Sequence, residues 1–371
     1  MKVVINARVL NERRGGPARY TMNIIRELVR VDHENEYVIL LKSPLDLDFE
    51  LPSNFKVKVF GVGSKILFDY VLVPFYSWTA SGDVFLFPKN TFSPLVRGKK
   101  IPVYHDIIYY EKLGFREFNF FDHLHHSIMI RIDKYFSAAD LAVSDFTASR
   151  MKELLGIREK KIAVIKEGVE DCFRPCRDDA KLKETADRFG IRRPFFFYSG
   201  SLSPRKNMLN VLKAFLLIAD SVPHNIYFTG GDSWRDNDVF RFIKDNGLEE
   251  RVVRLGYLSD DDLVSLYSIA DCYLYPSIYE GFGLPILEAQ ACGCPVITST
   301  VSSCPEVAGD SAILVDPLDP VSIASAMKRI VSEPSLKSEL QEKGFANCAR
   351  FSWNGAAKEL VALFERVTRK K

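Results

Sequence analysis

The sequence predicts an α/β protein built from two doubly wound domains, each with a parallel sheet. Short apolar runs rich in β-branched residues alternate with longer amphipathic stretches, the pattern of parallel strands joined by crossover helices. The 371 residues are too many for one ordinary core and suit two domains of roughly 150 to 190 residues each. A polar, charged interval from Glu170 to Arg193 interrupts the pattern, which starts again at Phe195. We therefore place the domain boundary in that interval.

The first half of the chain predicts strands separated by amphipathic helices. The strands are expected at Val3–Ile5, Tyr37–Leu41, Lys56–Phe60, Val84–Phe87, Ile101–Tyr104, Leu141–Val143 and Ile162–Ile165. The helices are expected at Ala18–Val31, Asn119–Phe136 and Phe146–Leu155. Ser144 and Asp145 precede the last helix, and both are suitable capping residues.

The second half repeats the alternation. Its strands are expected at Phe195–Tyr198, Ile226–Thr229, Val252–Leu255, Cys272–Tyr275, Val296–Thr298 and Ala312–Val315. Its helices are expected at Asn207–Asp220, Asp236–Asn246, Asp260–Ile269, Pro285–Ala291 and Val321–Val331. The predicted domains are residues 1–170 and 194–352, with 171–193 as a linker and 353–371 as an amphipathic terminal helix. Two open sheets with the carboxyl ends of their strands facing each other would enclose a cleft, where such folds bind ligands.

Composition and charge exclude several classes of protein. A hydrophobic content of 47% with 26% charged residues indicates a soluble globular chain rather than a disordered one. The net charge is only +2, so nothing global indicates a nucleic-acid partner. The N-terminus lacks the apolar core of a signal peptide, and no window reaches the roughly 18 apolar residues of a membrane span. Interpreting the seven cysteines as reduced thiols, we expect a cytoplasmic protein.

The sequence from Glu280 onward combines a glycine-rich turn, a helix start and two carboxylates. Gly281 and Gly283 allow backbone angles closed to other residues and a close approach of a ligand. Pro285 suits the first helical position, so the helix would point its free amides and positive dipole end into the turn. A diphosphate fits such a turn, with Glu280 and Glu288 placed to bind sugar hydroxyls on either side. The alternative is a tight strand-to-helix connection with two solvated glutamates.

The run from Glu280 to Glu288 resembles the paired-glutamate signature of the family 4 glycosyltransferases, which are retaining enzymes with the GT-B fold. The resemblance implies a nucleoside diphosphate sugar as donor, with Glu280 orienting the sugar and Glu288 holding the ribose. It implies four more donor-binding residues between them: Gly281, Phe282, Gly283 and Leu284. It covers nearly the whole chain, and in the family a terminal helix crosses back onto the first domain.

A second glycine turn carries two adjacent cations, Arg205 and Lys206. Such cations could neutralise two phosphates as a glycosidic bond breaks, although loop cations are often simply solvated. The run from Gly200 to Asn207 resembles the family's Gly-x-Leu-x-Pro-Arg-Lys-Asn element, in which Gly200 approaches the donor and the basic pair contacts the diphosphate. Many members have arginine directly after the glycine, where this chain has Ser201, so Arg205 is the expected arginine partner.

Two elements of the first half also carry candidate residues. Gly15 and Gly16 lie at a strand-to-helix turn, and Arg19 follows as a phosphate partner or a solvated surface arginine. This segment resembles the family's Gly-Gly-x-x-x-Tyr loop, which approaches donor and acceptor. His105 and Asp106 follow a strand, where open sheets collect functional groups. They resemble the family's His-Asp element, which implies that His105 hydrogen-bonds the transferred sugar rather than acting as a nucleophile; a structural histidine is the alternative.

The segment around Gly256 and Tyr257 resembles the part of the family that lies beside the nucleobase, where backbone groups contact the base edge. The acidic run Asp260–Asp262 could suggest a metal site. We expect instead that Ser259 caps a helix whose first turn favours acidic residues. The resemblance implies no metal and no cofactor, because cations and a helix terminus already stabilise the diphosphate.

The predicted helix Asn119–Phe136 combines aromatic, histidine and basic side chains. They are Phe115, Phe118, Phe120, Phe121, His123, His125, His126, Arg116, Arg131 and Lys134. Such a stripe fits peripheral association with an anionic membrane and a lipid-linked acceptor. The alternative is a helix packed through its aromatic face.

The resemblance implies that the protein is a retaining, metal-independent hexosyltransferase. Its acceptor would be a hydroxyl of a glycan or a polyprenyl-linked sugar at the inner face of the cytoplasmic membrane, and nucleic acid is not an expected partner. The Pro-Arg-Lys-Asn form of the basic loop is similar to that of bacterial mannosyltransferases of surface polysaccharide assembly, which favours GDP-mannose. UDP-glucose, UDP-N-acetylglucosamine and dTDP-rhamnose stay open. The alternatives in other classes are a nucleotide-sugar epimerase of the same build and a non-catalytic, two-lobed sugar-binding protein.

Overall fold

A computed structural model describes residues 1–12, 15–114, 120–230 and 237–369. The chain divides into two compact units. The first comprises Met1–Gly168 together with Ser352–Lys371, and the second comprises Val169–Phe351. The described part of the chain contains no helix long and apolar enough to cross a bilayer.

The first unit is built around a parallel sheet of seven strands within the described residues, in the order β3-β2-β1-β4-β5-β6-β7. The strands are β1 (Lys2–Asn6), β2 (Glu36–Leu41), β3 (Phe55–Val59), β4 (Val84–Phe87), β5 (Lys99–Tyr104), β6 (Asp140–Ala142) and β7 (Ile162–Val164). Its first helices are α1 (Gly16–Val31), α2 (Lys65–Leu67), α3 (Val73–Thr79), α4 (Phe120–Phe136) and α5 (Asp145–Leu155). Central strands such as β1 are buried on both faces, which explains their continuous apolar sequence.

The second unit has a parallel sheet of six strands within the described residues, in the order β10-β9-β8-β11-β12-β13. The strands are β8 (Phe195–Ser199), β9 (Asn225–Thr229), β10 (Val252–Arg254), β11 (Cys272–Tyr275), β12 (Val296–Ser299) and β13 (Ala312–Val315). The helices are α6 (Asp179–Phe189), α7 (Met208–Leu216), α8 (Asn237–Asp245), α9 (Asp260–Ile269), α10 (Leu284–Ala291), α11 (Cys304–Ala308), α12 (Pro320–Ser332) and α13 (Pro334–Cys348). The last helix of the chain, α14 (Trp353–Arg369), belongs to the first unit and packs on α1, where Asn354 Nδ2 donates to Glu27 Oε2 at 3.0 Å.

Both sheets reverse their strand order at one point, between β1 and β4 in the first and between β8 and β11 in the second. Ligands of open α/β sheets bind outside the carboxyl ends of the strands at such a point. The doubly wound fold predicted from the sequence is thus confirmed, and each predicted strand is present. The carboxyl ends of β8 and β11 are where the second unit positions its candidate residues.

Several helices were not predicted. The interval expected as a linker, 171–193, contains α6, which begins at the Asp178 cap and ends at Gly190 in a left-handed conformation. Because α6 is mostly polar, its sequence resembles that of a solvent-exposed linker. Segment 65–79 was missed because many of its apolar side chains face outwards, and α13 was missed because its apolar residues follow no clear helical face. Ser144 caps α5 as expected, accepting from Thr147 N.

A buried acidic pair lies under α4 in the first unit. Asp133 of α4 is fully buried and accepts a hydrogen bond from the Phe92 amide at 2.9 Å. Asp140 of β6 is also fully buried, accepting from Ser137 Oγ at 2.8 Å and lying 3.6 Å from Lys161 Nζ. Burial raises the pKa of Asp133 to about 8 and that of Asp140 to about 6. Asp133 is therefore held neutral near pH 7.

Replacing Asp133 by asparagine keeps the acceptor for the Phe92 amide and removes the charge. In the wild type the unfolded carboxyl loses its proton near its ordinary pKa of 3.8, whereas the folded one keeps it until about pH 8. Deprotonation of Asp133 should therefore lower the folding stability of the wild type across this interval, and Asp133→Asn lacks this contribution. We expect the variant to be more stable by at least about 1 kcal/mol above pH 8, measured by urea unfolding across pH. The exposed Asp46→Asn serves as control; equal pH profiles for Asp133→Asn and wild type would contradict the prediction.

Candidate active site

The candidate site of the second unit lies at the carboxyl ends of β8 and β11. The loop after β8 begins at Gly200, whose φ is +143°, and it passes so close to the next loop that a Cβ on Gly230 would lie 2.5 Å from Gly200 O. The loop continues through a short 3-10 turn, Pro204–Lys206. The loop after β11 contains Glu280 and the glycine turn. Adjacent strands thus bring together residues that are about 75 positions apart in sequence.

Glu280 forms an ion-paired trio with Arg205 and Lys206. Its Oε2 lies 3.0 Å from Arg205 NH1, and its Oε1 lies 2.7 Å from Lys206 Nζ. Lys206 Nζ also donates to the Tyr275 hydroxyl at 2.6 Å and lies 4.7 Å from the centre of that ring. The side chain of Glu280 is 8% exposed and that of Lys206 is 12% exposed. Two cations and one carboxylate are therefore packed where little water reaches them.

The electrostatics of the trio keep Glu280 ionised. Burial alone would raise the pKa of this carboxyl, but the charges of Lys206 and Arg205 outweigh burial and lower it to about 2. At neutral pH Glu280 is a carboxylate that accepts hydrogen bonds. A carboxyl with so low a pKa is a poor general acid or base.

Asn207 and Ser303 hold the two loops of the trio in place. Asn207 adopts a left-handed conformation with φ +66°, and its Nδ2 donates to Pro276 O at 2.8 Å and to Pro317 O at 2.6 Å. The fully buried Ser303 Oγ lies 3.0 Å from Glu280 O and 2.6 Å from Phe282 O. Each side chain hydrogen-bonds to backbone carbonyls of the loops and so restricts the loop conformation. The charged groups are thus fixed before any ligand arrives.

The glycine turn leads directly into α10. Gly281 and Phe282 are buried, and the Phe282 ring packs edge-on against Phe351 at 5.7 Å. Gly283 precedes the helix with φ +113°, a conformation that other residues adopt at a cost. The helix begins at Leu284, so Pro285 occupies its second position, whereas the sequence predicted the first. Proline is tolerated there equally, because that amide has no partner within the helix.

Glu288 is buried on α10 and lies in the same unit as the trio. Burial, with a contribution from the Glu288 charge, raises the pKa of the Tyr273 hydroxyl. That hydroxyl donates to Ser199 O at 3.1 Å at the end of β8. Glu288 therefore lies near the strand end from which the basic loop starts.

The segment expected beside a nucleobase forms an exposed turn. Gly256 has φ +76°, and its carbonyl accepts a hydrogen bond from Thr229 Oγ1 at the end of β9. Tyr257 is 77% exposed. Ser259 caps α9 in a reciprocal pair with Asp262, as expected from the sequence. Within the described residues, no group of three or more histidine, cysteine or acidic side chains is placed to hold a metal ion.

In the first unit, His105 lies at the carboxyl end of β5. Its Nδ1 is 3.2 Å from Glu167 Oε1, and its Nε2 is 3.2 Å from Pro88 O. The buried Tyr20 ring packs edge-on against the imidazole, with ring centres 5.0 Å apart. Both ring nitrogens therefore face protein acceptors, and a sugar hydroxyl bound at Nε2 would have to replace the Pro88 carbonyl.

The glycine pair of the first unit opens α1. Gly15 is the N-cap with φ +101°, and the helix begins at Gly16. A Cβ on Gly16 would meet no atom within 4 Å, so this glycine borders open space. Arg19 is half-buried in the first turn of α1. These residues lie in the first unit together with His105.

The family model described as glycosyl transferases group 1 matches residues 183–346, which lie entirely in the second unit. The second unit is a group 1 glycosyltransferase domain. The trio, the glycine turn and Glu288 all fall inside the matched residues. The resemblance found in the sequence is thereby confirmed for this domain.

Relatives and solved structures agree with this assignment. The O-antigen chain mannosyltransferase B of Escherichia coli is 31% identical over 228 residues, which are 61% of this chain and 60% of that protein. The serotype-specific mannosyltransferase WbdA of Escherichia coli is 27% identical over 239 residues, 62% of this chain but 29% of that protein. The chain thus matches less than two thirds of the length of these relatives. Sucrose-phosphate synthase from Thermosynechococcus elongatus superposes with a TM-score of 0.80 at 18% identity, covering 100% of this chain and 99% of that chain. The fold is GT-B, as predicted.

Sequence reasoning missed three features around the group 1 domain and the first unit. Ser303 and Glu167 each hold a candidate residue, but their own positions in the sequence carry no recognisable pattern. A charged network follows β1, where Arg8 Nε lies 2.9 Å from Asp69 Oδ2 and Lys89 Nζ lies 3.5 Å from Glu12 Oε2. The sequence did carry a signal for this network, since Arg8 and Lys89 lie two residues after the ends of β1 and β4, the strands at which the order reverses.

Replacing Glu280 by glutamine should destabilise the group 1 domain. Arg205 and Lys206 would stay buried without their shared counter-charge, and losing one partner of a buried pair costs about 3 kcal/mol. We expect that decrease in the free energy of unfolding near neutral pH, measured by urea unfolding. Because the folded pKa of Glu280 is lowered, its contribution exists above the unfolded value of 4.5 and is lost as the pH falls towards 2, so the two curves should converge in acid.

The matched control for this substitution is Glu339→Gln on the surface of α13, where the side chain is 56% exposed and pairs with Lys343. It should change stability by less than about 0.5 kcal/mol. If Glu280→Gln were as stable as the wild type, or if the difference did not depend on pH, the ion-paired trio would not have the energetic role described.

Proposed function

We propose that this protein is a retaining glycosyltransferase that moves a hexose from a nucleoside diphosphate sugar to a hydroxyl group of a glycan or lipid-linked acceptor. The observation that carries the proposal is the buried trio of Glu280, Arg205 and Lys206 at the carboxyl ends of β8 and β11 of a group 1 domain. Such a site offers fixed positive charge and a fixed hydrogen-bond acceptor side by side. A sugar diphosphate needs both.

The two cations suit the departing diphosphate. When the glycosidic bond breaks, negative charge grows on the leaving phosphate, and preorganised cations stabilise that charge most where water is excluded. Arg205 offers a planar fork for phosphate oxygens, and Lys206 offers a point charge. The N-terminus of α10 adds free amides behind the glycine turn. We therefore propose that neither a metal ion nor a cofactor takes part.

The carboxylates and the histidine would orient the donor. Glu280, held ionised by its neighbours, would accept hydrogen bonds from hydroxyls of the transferred sugar, and Glu288 would accept those of the ribose. Gly200, Gly256, Tyr257 and the turn Gly281–Leu284 would line the nucleotide. His105 of the first unit would support the sugar, with Glu167 holding its ring. Gly15, Gly16 and Arg19 would approach the donor from the first unit.

The reaction would follow a same-face course. The bond between the anomeric carbon and the diphosphate oxygen breaks, the acceptor oxygen bonds the anomeric carbon on the same face, and the acceptor proton passes to the departing diphosphate. The lowered pKa of Glu280 supports this course, because a strongly paired carboxylate is a poor base and a hindered nucleophile. The configuration at the anomeric carbon is retained.

Mannose is the sugar we propose, carried as GDP-mannose. The two mannosyltransferases of Escherichia coli, at 31% and 27% identity, support this choice. Their names also support an acceptor that belongs to a surface polysaccharide, which we propose is built on a polyprenyl carrier at the cytoplasmic face of the membrane. The enzyme would then work beside an anionic lipid surface.

A thermal-shift panel tests the donor. A ligand at one hundred times its dissociation constant stabilises the folded state by about 2.7 kcal/mol, which is enough to rank nucleotides. We expect GDP-mannose to raise the melting temperature more than UDP-glucose, UDP-N-acetylglucosamine or dTDP-rhamnose. A larger shift with a uridine or thymidine sugar would contradict the mannose assignment, and no shift with any of them would favour a protein that does not bind nucleotide sugars.

Replacing Lys206 by alanine tests the leaving-group role. We expect turnover to fall by about 100-fold or more, because one cation facing the departing diphosphate is lost. Turnover is measured as nucleoside diphosphate release in the presence of acceptor, and circular dichroism checks the fold. The matched control is Lys343→Ala, a partly exposed lysine of the same unit. Wild-type turnover in Lys206→Ala would contradict the role, and a product formed without any acceptor would indicate an epimerase.

A further inference from the structure

Segment 65–79 of the first unit exposes an apolar face. It consists of α2, a π-helical turn at Phe68–Leu72 and α3. Ile66, Val71, Phe75 and Trp78 point to solvent, with Phe75 and Trp78 each 64% exposed. Val71, Phe75 and Trp78 follow one another at four and three residues, the spacing of one helical face. The only side chains of this segment packed in the core lie on its other side, as Phe68 does.

Helix α4 also turns its apolar stripe outwards. Leu124, Ile128, Ile132 and Tyr135 recur at four, four and three residues and are all exposed, Tyr135 to 77%. The opposite face buries Ile130 and Asp133. A surface helix of a water-soluble domain shows the reverse arrangement, with the apolar stripe facing the core. Of the aromatic side chains named from the sequence for this helix, Phe121 is 80% exposed.

The two exposed faces are neighbours within the first unit. The Tyr70 hydroxyl of the π-helical turn lies 3.1 Å from His125 Nε2 of α4, and the two rings meet edge-on at 5.9 Å. At the other end of the first segment, Trp78 Nε1 donates to Leu95 O at 2.9 Å, and the Leu95 side chain is itself exposed. We call these two faces together the paired helical surface. Contiguous apolar areas of this kind mark interaction sites.

The charged side chains around the paired helical surface indicate which kind of partner fits it. Basic side chains on and beside this surface point outwards. Lys65 and Arg131 lie on it and are exposed, Lys65 to 63%. Beside it, Arg97 Cζ lies 5.4 Å from the centre of the Trp78 ring, and Lys99 at the start of β5 is exposed. The acids described on the same helices point inwards. Asp69 pairs with Arg8 at 2.9 Å, and Asp133 is fully buried. An apolar surface bordered by tryptophan, tyrosine and outward cations matches the boundary between acyl chains and anionic headgroups.

We propose that the paired helical surface binds the interfacial region of an anionic bilayer, with Phe75 and Trp78 inserted among the lipids. This rests on the proposed function, since a lipid-linked acceptor requires the enzyme to reach a membrane. The helices lie in the plane of the interface rather than crossing it. Of the basic residues expected at the membrane from the sequence, Lys134 instead donates to Leu155 O at 2.6 Å, and Arg116 lies outside the described residues with Phe115 and Phe118.

Flotation of the full-length protein with vesicles tests the proposal. We expect binding to vesicles that contain phosphatidylglycerol and much weaker binding to pure phosphatidylcholine. The double variants Phe75→Ser with Trp78→Ser, and Ile128→Ser with Ile132→Ser, should each lower the partition coefficient by about tenfold or more. The matched control is Leu318→Ser with Val321→Ser, an exposed apolar pair of the second unit that should bind as the wild type does.

A spectroscopic readout shows whether Trp78 enters the lipid. Brominated lipids should quench part of the tryptophan emission in the wild type, and the conservative variant Trp78→Phe should lose that part while still binding. Wild-type protein that ignores phosphatidylglycerol vesicles, or surface variants that bind them unchanged, would overturn the proposal. So would a dimer that forms without lipid and dissociates in the surface variants, since the surface would then join two copies.

Failure of this inference can be told apart from failure of the proposed function. Donor binding is measured by thermal shift without vesicles, and vesicle binding is measured without donor. Loss of lipid binding in a variant that still shifts with GDP-mannose supports the separate role of the surface. Vesicle binding without any nucleotide-sugar binding would contradict the proposed function alone.

Discussion

Glu280 lies in the interior of the second unit, where an ionised carboxyl group is costly unless cations neutralise it. Arg205 and Lys206 supply that neutralisation from the neighbouring loop. The pairing works only if β8 and β11 lie side by side, because the three residues reach one another from the ends of these strands. The electrostatics of the site therefore depend directly on the strand order of the sheet. Breaking either would leave charges buried without partners.

The same trio supports the proposed binding of a diphosphate. Asn207 and Ser303 hold the backbone of both loops, which limits the conformational freedom that the loops would lose if a ligand bound. Without ligand, Glu280 balances the two cations. In the proposed reaction a diphosphate would add negative charge that the cations could share, and Glu280 would stay ionised and available to hydroxyl groups. A site that is already charged, dry and fixed needs little reorganisation during a reaction, which is the condition for strong electrostatic stabilisation.

The fold and the second half of the site could be predicted from the sequence because local pattern and local chemistry agree there. Buried parallel strands need continuous apolar runs, and the turns at Gly200 and Gly283 need glycine, so both leave marks in the sequence. Segment 65–79 and α6 are harder to predict from the sequence. The first presents apolar residues to solvent and the second is almost wholly polar, so neither shows the inward apolar stripe by which a surface helix is recognised.

By itself, the sequence determined the succession of strands and helices, the glycine turns and the residue types of Arg205, Lys206, Glu280 and Glu288, since each of these depends on neighbours within a few positions. Only the tertiary structure decided which of them meet. Glu280 and Lys206 are joined by an ion pair across more than seventy residues, and His105 is held by Glu167 across sixty-two. Such pairings depend on the order in which strands assemble, and no local pattern encodes a partner that the folded sheet brings near.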